Sequence, residues 1–218
     1  MLAVRTLVLD CSTEACSVAY FEGPDLLAHR FEVIGRGHAE RLVPMISELP
    51  DKGRAERILV SLGPGSFTGV RIGLAAARAL GLAWGAQVLG YPGHALVVET
   101  GLAGRDAPIE PEVMSPDRVL ACMNGGHGEW FVQPFDADHT PSASCRSMIP
   151  QDAAQVFSEP IVIGNRAAQF VDMRESGVAI DTLPDARDAI LIASDLLRTD
   201  LTPIYGRGPD ARLPETAQ

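Results

Sequence analysis

Gly63-Pro64-Gly65-Ser66-Phe67-Thr68-Gly69-Val70-Arg71-Ile72-Gly73 is the stretch whose reading decides the fold. Ile58-Leu59-Val60 stands before it and an alanine-rich run, Leu74 to Ala83, follows, so the order is strand, tight glycine turn, helix. Glycines placed in this way bring a backbone close to something: a phosphate, another helix or another chain. The stretch is not a Walker loop, which needs Gly-x-x-x-x-Gly-Lys-Ser/Thr with a lysine on the phosphates. Here Val70 and Arg71 follow Gly69, and the single lysine, Lys52, lies upstream. Nor is it Gly-x-Gly-x-x-Gly, because Thr68 stands where the third glycine belongs. On spacing alone two readings stay open, a ligand loop or a turn that only lets a helix pack tightly on a sheet.

Upstream of the loop, Thr6 to Asp10 reads as a buried strand ending on a carboxylate, and Cys11 to Glu14 as a polar turn. Ala15 to Phe21 and Leu26 to Ile34 are two further strands around the turn Glu22 to Asp25, so the chain opens with two successive hairpins. Leu42, Met45, Ile46 and Leu49 recur at helical spacing in a helix over His38 to Leu49, which Pro44 loosens. Ile58 to Leu62 is the fourth strand, Gly69 to Trp84 the second helix with Gly85 as its C-cap, and Gln87 to Gly90 a fifth strand. After a Gly/Pro-rich, acidic linker, Gly101 to Pro116, a weaker echo follows. Arg118 to Met123 and Glu129 to Phe135 form a hairpin around Asn124-Gly125-Gly126-His127-Gly128, then come a strand at Ile161 to Ile163, a helix at Ala189 to Leu197 and an extended tail from Pro203. The pattern predicts a duplicated α/β fold with a cleft between two lobes, residues 1–104 and a smaller 105–218.

The 218 residues are 46% apolar, enough for such a core. Net charge is −10 and Lys and Arg form no run, so if nucleic acid is involved a partner supplies the grip on its backbone. No apolar stretch approaches the roughly 20 residues of a membrane span, and the first residues run into strand-like sequence rather than a signal peptide. The expected setting is the cytoplasm. Cys11, Cys16, Cys122 and Cys145 contain no Cys-x-x-Cys pair and read as reduced, mostly buried thiols.

Few residues invite chemistry. Asp10 with Ser12 and Thr13 at a hairpin tip suits a metal-bound phosphate or, more simply, an Asx turn on its own backbone. The second hairpin has Asn124 where a matching carboxylate would stand, which favours the turn. His38 and His94 lack a second histidine three or four residues away, so they are expected as cap or surface residues and no metal site is expected. Ser61 and Ser66 have no identifiable base and no Gly-x-Ser-x-Gly elbow occurs, leaving acyl transfer unsupported. Gly69, Gly73, Ala76, Ala77 and Gly81 line the second helix with small residues, permitting close backbone approach either to the chain's own sheet or to a partner.

Three segments in order carry a resemblance: Asp10-Cys11-Ser12-Thr13, His38-Ala39-Glu40-Arg41-Leu42-Val43-Pro44 and the glycine stretch Gly63 to Gly73. Together with the ending Pro203-Ile204-Tyr205-Gly206-Arg207-Gly208-Pro209-Asp210, they resemble the bacterial TsaB (YeaZ) family, the dimerisation subunit of the tRNA threonylcarbamoyladenosine machinery. The resemblance is dense over about residues 6 to 100 and thin, though collinear, to about 211. It implies a two-lobed actin/Hsp70-like (RNase H-like) ATPase superfold with a reduced second lobe. It also implies no catalytic residue and no resident cofactor or metal. The implied role is to bind a TsaD-like catalytic paralogue, with a TsaE-like ATPase as a further partner. The free chain would be a homodimer, tRNA would be met only through the complex, and no membrane would be involved. ATP or ADP is expected only at or near the partner interface, with Asp10, Ser12 and Thr13 as a vestigial nucleotide site.

The paralogue's metal-ligand positions fall on Gly93 and Val97, with His94 one place out of register, which argues for the partner subunit. Asn124-Gly125-Gly126 replaces the family's usual Asp-Ala-Arg ahead of Glu129-Trp130-Phe131. The docking face implied by the resemblance lies on the two first-lobe helices, with Leu42, Met45, Ile46, Leu49, Arg71, Gly73, Ala76, Ala77 and Arg78. The alternative from another class is a small-molecule kinase or a glycoprotease-like hydrolase of the same superfold.

Overall fold

The computed structural model describes residues 3–104 and 117–206. The first sheet contains β1 (Arg5–Asp10), β2 (Ala15–Glu22), β3 (Asp25–Val33), β4 (Arg57–Ser61) and β5 (Gln87–Tyr91) in the order β3-β2-β1-β4-β5. β2 runs antiparallel to both neighbours, while β1, β4 and β5 are parallel. The second sheet repeats this arrangement: β6 (Arg118–Gly126), β7 (Glu129–Asp136), β8 (Arg146–Met148), β9 (Ile161–Ile163) and β10 (Val178–Ile180) stand in the order β10-β9-β6-β7-β8. Each lobe is therefore two hairpin connections followed by two parallel strands. The second has shrunk, its β8, β9 and β10 being three residues each.

Helices α1 (His38–Ser47) and α2 (Phe67–Trp84) belong to the first lobe, α3 (Gly93–Leu102) joins the two, and α4 (Pro150–Val156) and α5 (Ala167–Arg174) complete the second. The sequence reading omitted α3, β8, α4, α5 and β10. α3 is buried along its whole length, so it has no polar face and no amphipathic period to detect. The other four are short and sit in sequence of mixed polarity. Most of the expected linker, residues 105–116, lies outside the described residues, as does the tail from residue 207.

Alternation along the strands divides the core. Leu7, Leu9, Val18, Tyr20, Ile58 and Val60 face α1 and α2 in the outer core of the first lobe. Their neighbours Val8, Ala19, Phe21 and Leu59 face the other way, onto α3 and onto Val119, Ala121, Met123, Ile161 and Ile163 of the second sheet. Leu120, Cys122 and Val162 turn back into the second lobe's own core with Phe170. This is the two-residue period of a sheet buried on both faces.

The helix expected at Ala189 to Leu197 is corrected to two 3-10 turns, Ala186–Leu191 and Ser194–Leu196. Ala186, Ala189 and Ile192 recur every third residue, and all three reach the shared core, a spacing that suits three residues per turn. Ser17 holds the start of this segment, its Oγ accepting from the Ala186 N–H at 2.8 Å, while Asp185 N–H donates to Thr100 Oγ1 at 3.1 Å. The chain then returns to the first lobe. Arg198 exchanges backbone hydrogen bonds with Gly90 at 2.7 and 2.8 Å, and Ile204 N–H donates to the Leu62 carbonyl at 2.7 Å.

The glycine loop packs against the chain's own first hairpin. Ser66 N–H donates to the Ser12 carbonyl at 2.7 Å, and Ser66 Oγ caps α2 by accepting from Gly69 N–H at 3.2 Å. A Cβ on Gly65 would overlap the Ser12 carbonyl and one on Gly69 the Cys11 carbonyl, so the helix starts on backbone rather than on side chains. Gly69→Ala is expected to cost about 1–3 kcal/mol of stability through this overlap. Ala79→Ser, on the exposed side of α2, is expected to stay within about 0.5 kcal/mol. Urea titrations of the two variants check the difference.

The cleft between the lobes as candidate functional site

A cleft of about 1240 Å³ separates the lobes. On one side stand Ser12, Thr13 and Glu14 of the β1–β2 turn with Pro64 to Phe67, Val70 and Arg71 of the glycine loop and α2. On the other stand Met123 to His127 of the β6–β7 turn, Phe131 and Asn165, and Pro203 to Gly206 close one end.

Of the expected nucleotide residues, Ser12 and Thr13 line the cleft but Asp10 does not. Asp10 is fully buried beneath the turn. Its Oδ1 accepts from the Ser12 N–H and the Ser12 hydroxyl, both at 2.8 Å, and its Oδ2 from the Tyr91 hydroxyl at 3.1 Å. This is the Asx turn, with a tyrosine added that sequence reasoning missed. Burial pushes the Asp10 carboxyl up from the ordinary aspartate range, against the pull of these hydrogen bonds. Thr13 Oγ1 accepts from Ala15 N–H at 3.1 Å, a bond that uses a lone pair and not the hydroxyl proton.

Glu14 and Asn165 meet across the cleft. The Asn165 amide nitrogen donates to both Glu14 carboxylate oxygens, at 2.9 and 3.1 Å. The Asn165 amide oxygen accepts from Asn124 N–H at 2.9 Å, and the Asn124 side-chain oxygen accepts from Gly126 N–H at 3.1 Å. One asparagine thus ties the second lobe's hairpin to its own strand–helix loop and to the first lobe. Sequence reading identified the strand at Ile161 to Ile163 and the Asn124 substitution, but a contact between residues 151 positions apart leaves no local signal.

At the cleft mouth Arg71 lies over the Phe67 ring, 3.5 Å from its centroid, and donates to the Tyr205 hydroxyl at 3.1 Å. Arg78 donates to the Leu201 carbonyl at 3.1 Å. Both arginines expected on a docking face therefore hold the returning C-terminal segment. The other expected docking residues need a further correction. Leu42, Met45, Ile46 and Leu49 are buried in the first lobe's outer core, as are Gly73 and Ala77, and Ala76 is half-buried against the same cluster. The small-residue face of α2 is its sheet-facing side. Outward from the two helices point Val43, Phe67, Ala75, Ala79 and Leu82, with Leu82 the most exposed of the large apolar residues at 88%.

His38 and His94, expected at caps or on the surface, are both buried. His38 Nε2 contacts the Ala15 carbonyl at 3.1 Å, fastening α1 to the start of β2. His94 lies within α3, and neither of its ring nitrogens has a hydrogen-bond partner of good geometry, with Gln133 giving only a weak opposing pull. Among the described residues no three His, Cys, Asp or Glu side chains converge on a point suited to a metal, and no helix is long and apolar enough to cross a membrane.

A family described as TsaD: tRNA N6-adenosine threonylcarbamoyltransferase matches residues 32–162. The tRNA threonylcarbamoyladenosine biosynthesis protein TsaB of Escherichia coli K12 is 30% identical over 211 residues, covering 88% of this chain and 87% of its own. The protein of the same name in Haemophilus influenzae is 44% identical over 93 residues, 40% of this chain and 38% of its own. YeaZ from Pseudomonas aeruginosa superposes with a TM-score of 0.76 at 26% identity, over 93% of this chain and 99% of that one. Twin sheets of one topology around a central cleft define a two-lobed α/β protein of the actin-like superfold. Within that class, the chain belongs to the TsaB/YeaZ family.

Burial holds the His94 imidazole down at about 4, against an ordinary 6.5. The unfolded chain takes up a proton on this group as pH falls below 6.5 and the folded chain does not. Stability is therefore full above about pH 6.5 and declines as pH falls toward 4, by about 3 kcal/mol in all. His94→Leu is expected to flatten this part of the pH–stability curve, measured by urea unfolding between pH 7 and pH 4.5.

Proposed function

We propose that this chain is a non-catalytic subunit in the biosynthesis of threonylcarbamoyladenosine on tRNA, binding and supporting the paralogue that transfers the threonylcarbamoyl group to N6 of the adenosine 3′ of the anticodon. The observation that carries this reading is how the cleft's polar groups are used. Phosphoryl chemistry in a two-lobed fold needs free donors from both hairpins, a cation for the phosphates and an accessible carboxylate for the metal. Asp10 is sealed beneath its turn, and the Ser12 hydroxyl donates to Asp10 within the hairpin. Glu14, a carboxylate, sits hydrogen-bonded to Asn165 between the two hairpins, where polyphosphate would have to pass. Arg71 is engaged with Phe67 and Tyr205.

The docking face in this reading is the outward side of α1 and α2. Val43, Phe67 and Leu82 expose apolar surface there, and Ala75 and Ala79 between them keep the helix surface low enough for a second helix to approach. A TsaD-like paralogue is the proposed occupant. Self-association covers the same face in the free chain, and a TsaE-like ATPase joins the assembled complex. Nucleotide, where present, sits at or near the partner interface, and tRNA is met through the complex, in keeping with the net charge of −10. The proposed setting is the cytoplasm.

Two measurements test the proposal. Purified chain with magnesium and ATP is expected to show no turnover on the enzymatic scale of about 1 per second or faster. Such turnover, lost in Asp10→Ala, would establish the kinase-like alternative instead. Ala79→Glu is expected to weaken the complex with the paralogue by about 3–5 kcal/mol, because an unpaired charge is buried at the contact. The urea midpoint of the same variant should stay near wild type, since Ala79 is exposed in the monomer. Ala77→Glu, by contrast, is expected to unfold the chain. Normal pull-down of the paralogue by folded Ala79→Glu and Leu82→Glu variants would move the interface elsewhere.

A further inference from the structure

Cys11 and Cys16 stand at the two ends of the β1–β2 turn, one step beyond the paired residues Asp10 and Ser17. Their Sγ atoms are 3.8 Å apart and both cysteines are free. Residues facing each other on antiparallel strands hold their Cα atoms about 4.5–5.5 Å apart, within the roughly 4.4–6.8 Å that a disulfide spans. Both side chains are buried in the first lobe's outer core. Neither thiol lines the cleft. Ser12 lines the cleft directly beside Cys11, and Val70 lines it while packing into the same core cluster as both cysteines. For the pair to react, hydrogen peroxide has to enter through that wall.

We propose that Cys11 and Cys16 are a peroxide-responsive modification site that closes into a reversible intramolecular disulfide beneath α2. The hydrogen bond with Cys11 holds the Cys16 thiol below its ordinary range, with burial opposing, while the same contact and burial push Cys11 up. In the proposed sequence Cys16 is the attacking sulfur and Cys11 the resolving one. Its thiolate attacks one peroxide oxygen, the S–O bond forms, the O–O bond breaks, and the released hydroxide takes the proton that Cys16 gave up. The Cys11 sulfur then attacks the Cys16 sulfenic sulfur. The S–S bond forms, the S–O bond breaks, and the second hydroxide leaves as water with the Cys11 proton. The paired thiols are oxidised and the peroxide is reduced to water. A dithiol reductant reverses the bond.

The position couples this chemistry to the glycine loop. The Cys11 carbonyl backs directly onto Gly69, and the Ser12 carbonyl accepts from Ser66 N–H. A shift of Cys11 toward Cys16 pulls on the first turn of α2.

The test uses native protein treated with hydrogen peroxide, then denatured, alkylated with iodoacetamide and cut after glutamate. Glu14 lies between the two cysteines, so cleavage there leaves them on separate peptides that only a disulfide keeps joined. The expected product is one species containing both peptides, separated by dithiothreitol and absent from Cys11→Ser. Recovery of both cysteines alkylated, of each oxidised separately to sulfinic acid, or of Cys16 joined to a different thiol overturns the proposal. None of these outcomes depends on the role proposed for the chain in tRNA modification.

Discussion

The burial of α3 between the two sheets is the constraint on which the rest of the molecule depends. All ten of its residues, Gly93–Leu102, are buried, and its apolar side chains join the inner faces of both sheets into one core. Leu96, Val97, Val98 and Leu102 each contribute about 1.5–3 kcal/mol of burial, part of which is lost if the lobes part. The polar members of the helix are accommodated individually. Thr100 accepts from Asp185 N–H, Glu99 meets His139 Nδ1 at 3.0 Å, and His94 stays neutral. A hinge that swung the lobes widely would have to break this core, so the cleft on the other side of it has a fixed floor.

A second contact, between the glycine loop and the first hairpin, sets the first lobe's internal geometry. Because Gly65 and Gly69 lack side chains, the loop lies directly on the carbonyls of Ser12 and Cys11. The approach fixes where α2 begins and which of its faces turns inward. The same approach closes over Asp10, so the residue best suited to ligand chemistry by sequence becomes a structural one. Tyr91 completes the enclosure from β5, its one hydroxyl proton shared between Asp10 Oδ2 at 3.1 Å and the Leu9 carbonyl at 3.0 Å.

Within the cleft, several polar groups satisfy one another. Glu14, Asn165 and Asn124 form a chain of hydrogen bonds across it. Arg71 and Arg78 are drawn to the C-terminal segment, which crosses back to the first lobe and seals one end. Outside the cleft, apolar side chains on α1 and α2 stay exposed, Val43 and Leu82 among them.

The sequence by itself determined the strand–glycine–helix unit, the two opening hairpins, the repeat in the second lobe and the Asx turn at Asp10. Each depends on neighbours within about a dozen residues: strand alternation, turn residues and capping serines act locally. Tertiary structure alone decided which way the helices faced. Leu42, Met45, Ile46 and Leu49 form an apolar stripe that periodicity identifies correctly, but a stripe does not say whether the sheet or a partner covers it. Here the sheet does. Small residues on α2 carry the same ambiguity, resolved by the closeness of the Cys11 carbonyl to Gly69. α3 escaped notice because a helix buried on every side has no polar phase, and His94 read as a surface residue because nothing local reveals that it lies between two sheets. Glu14 and Asn165 are joined only by folding, since a hydrogen bond across 151 positions imposes no pattern on the residues near either end.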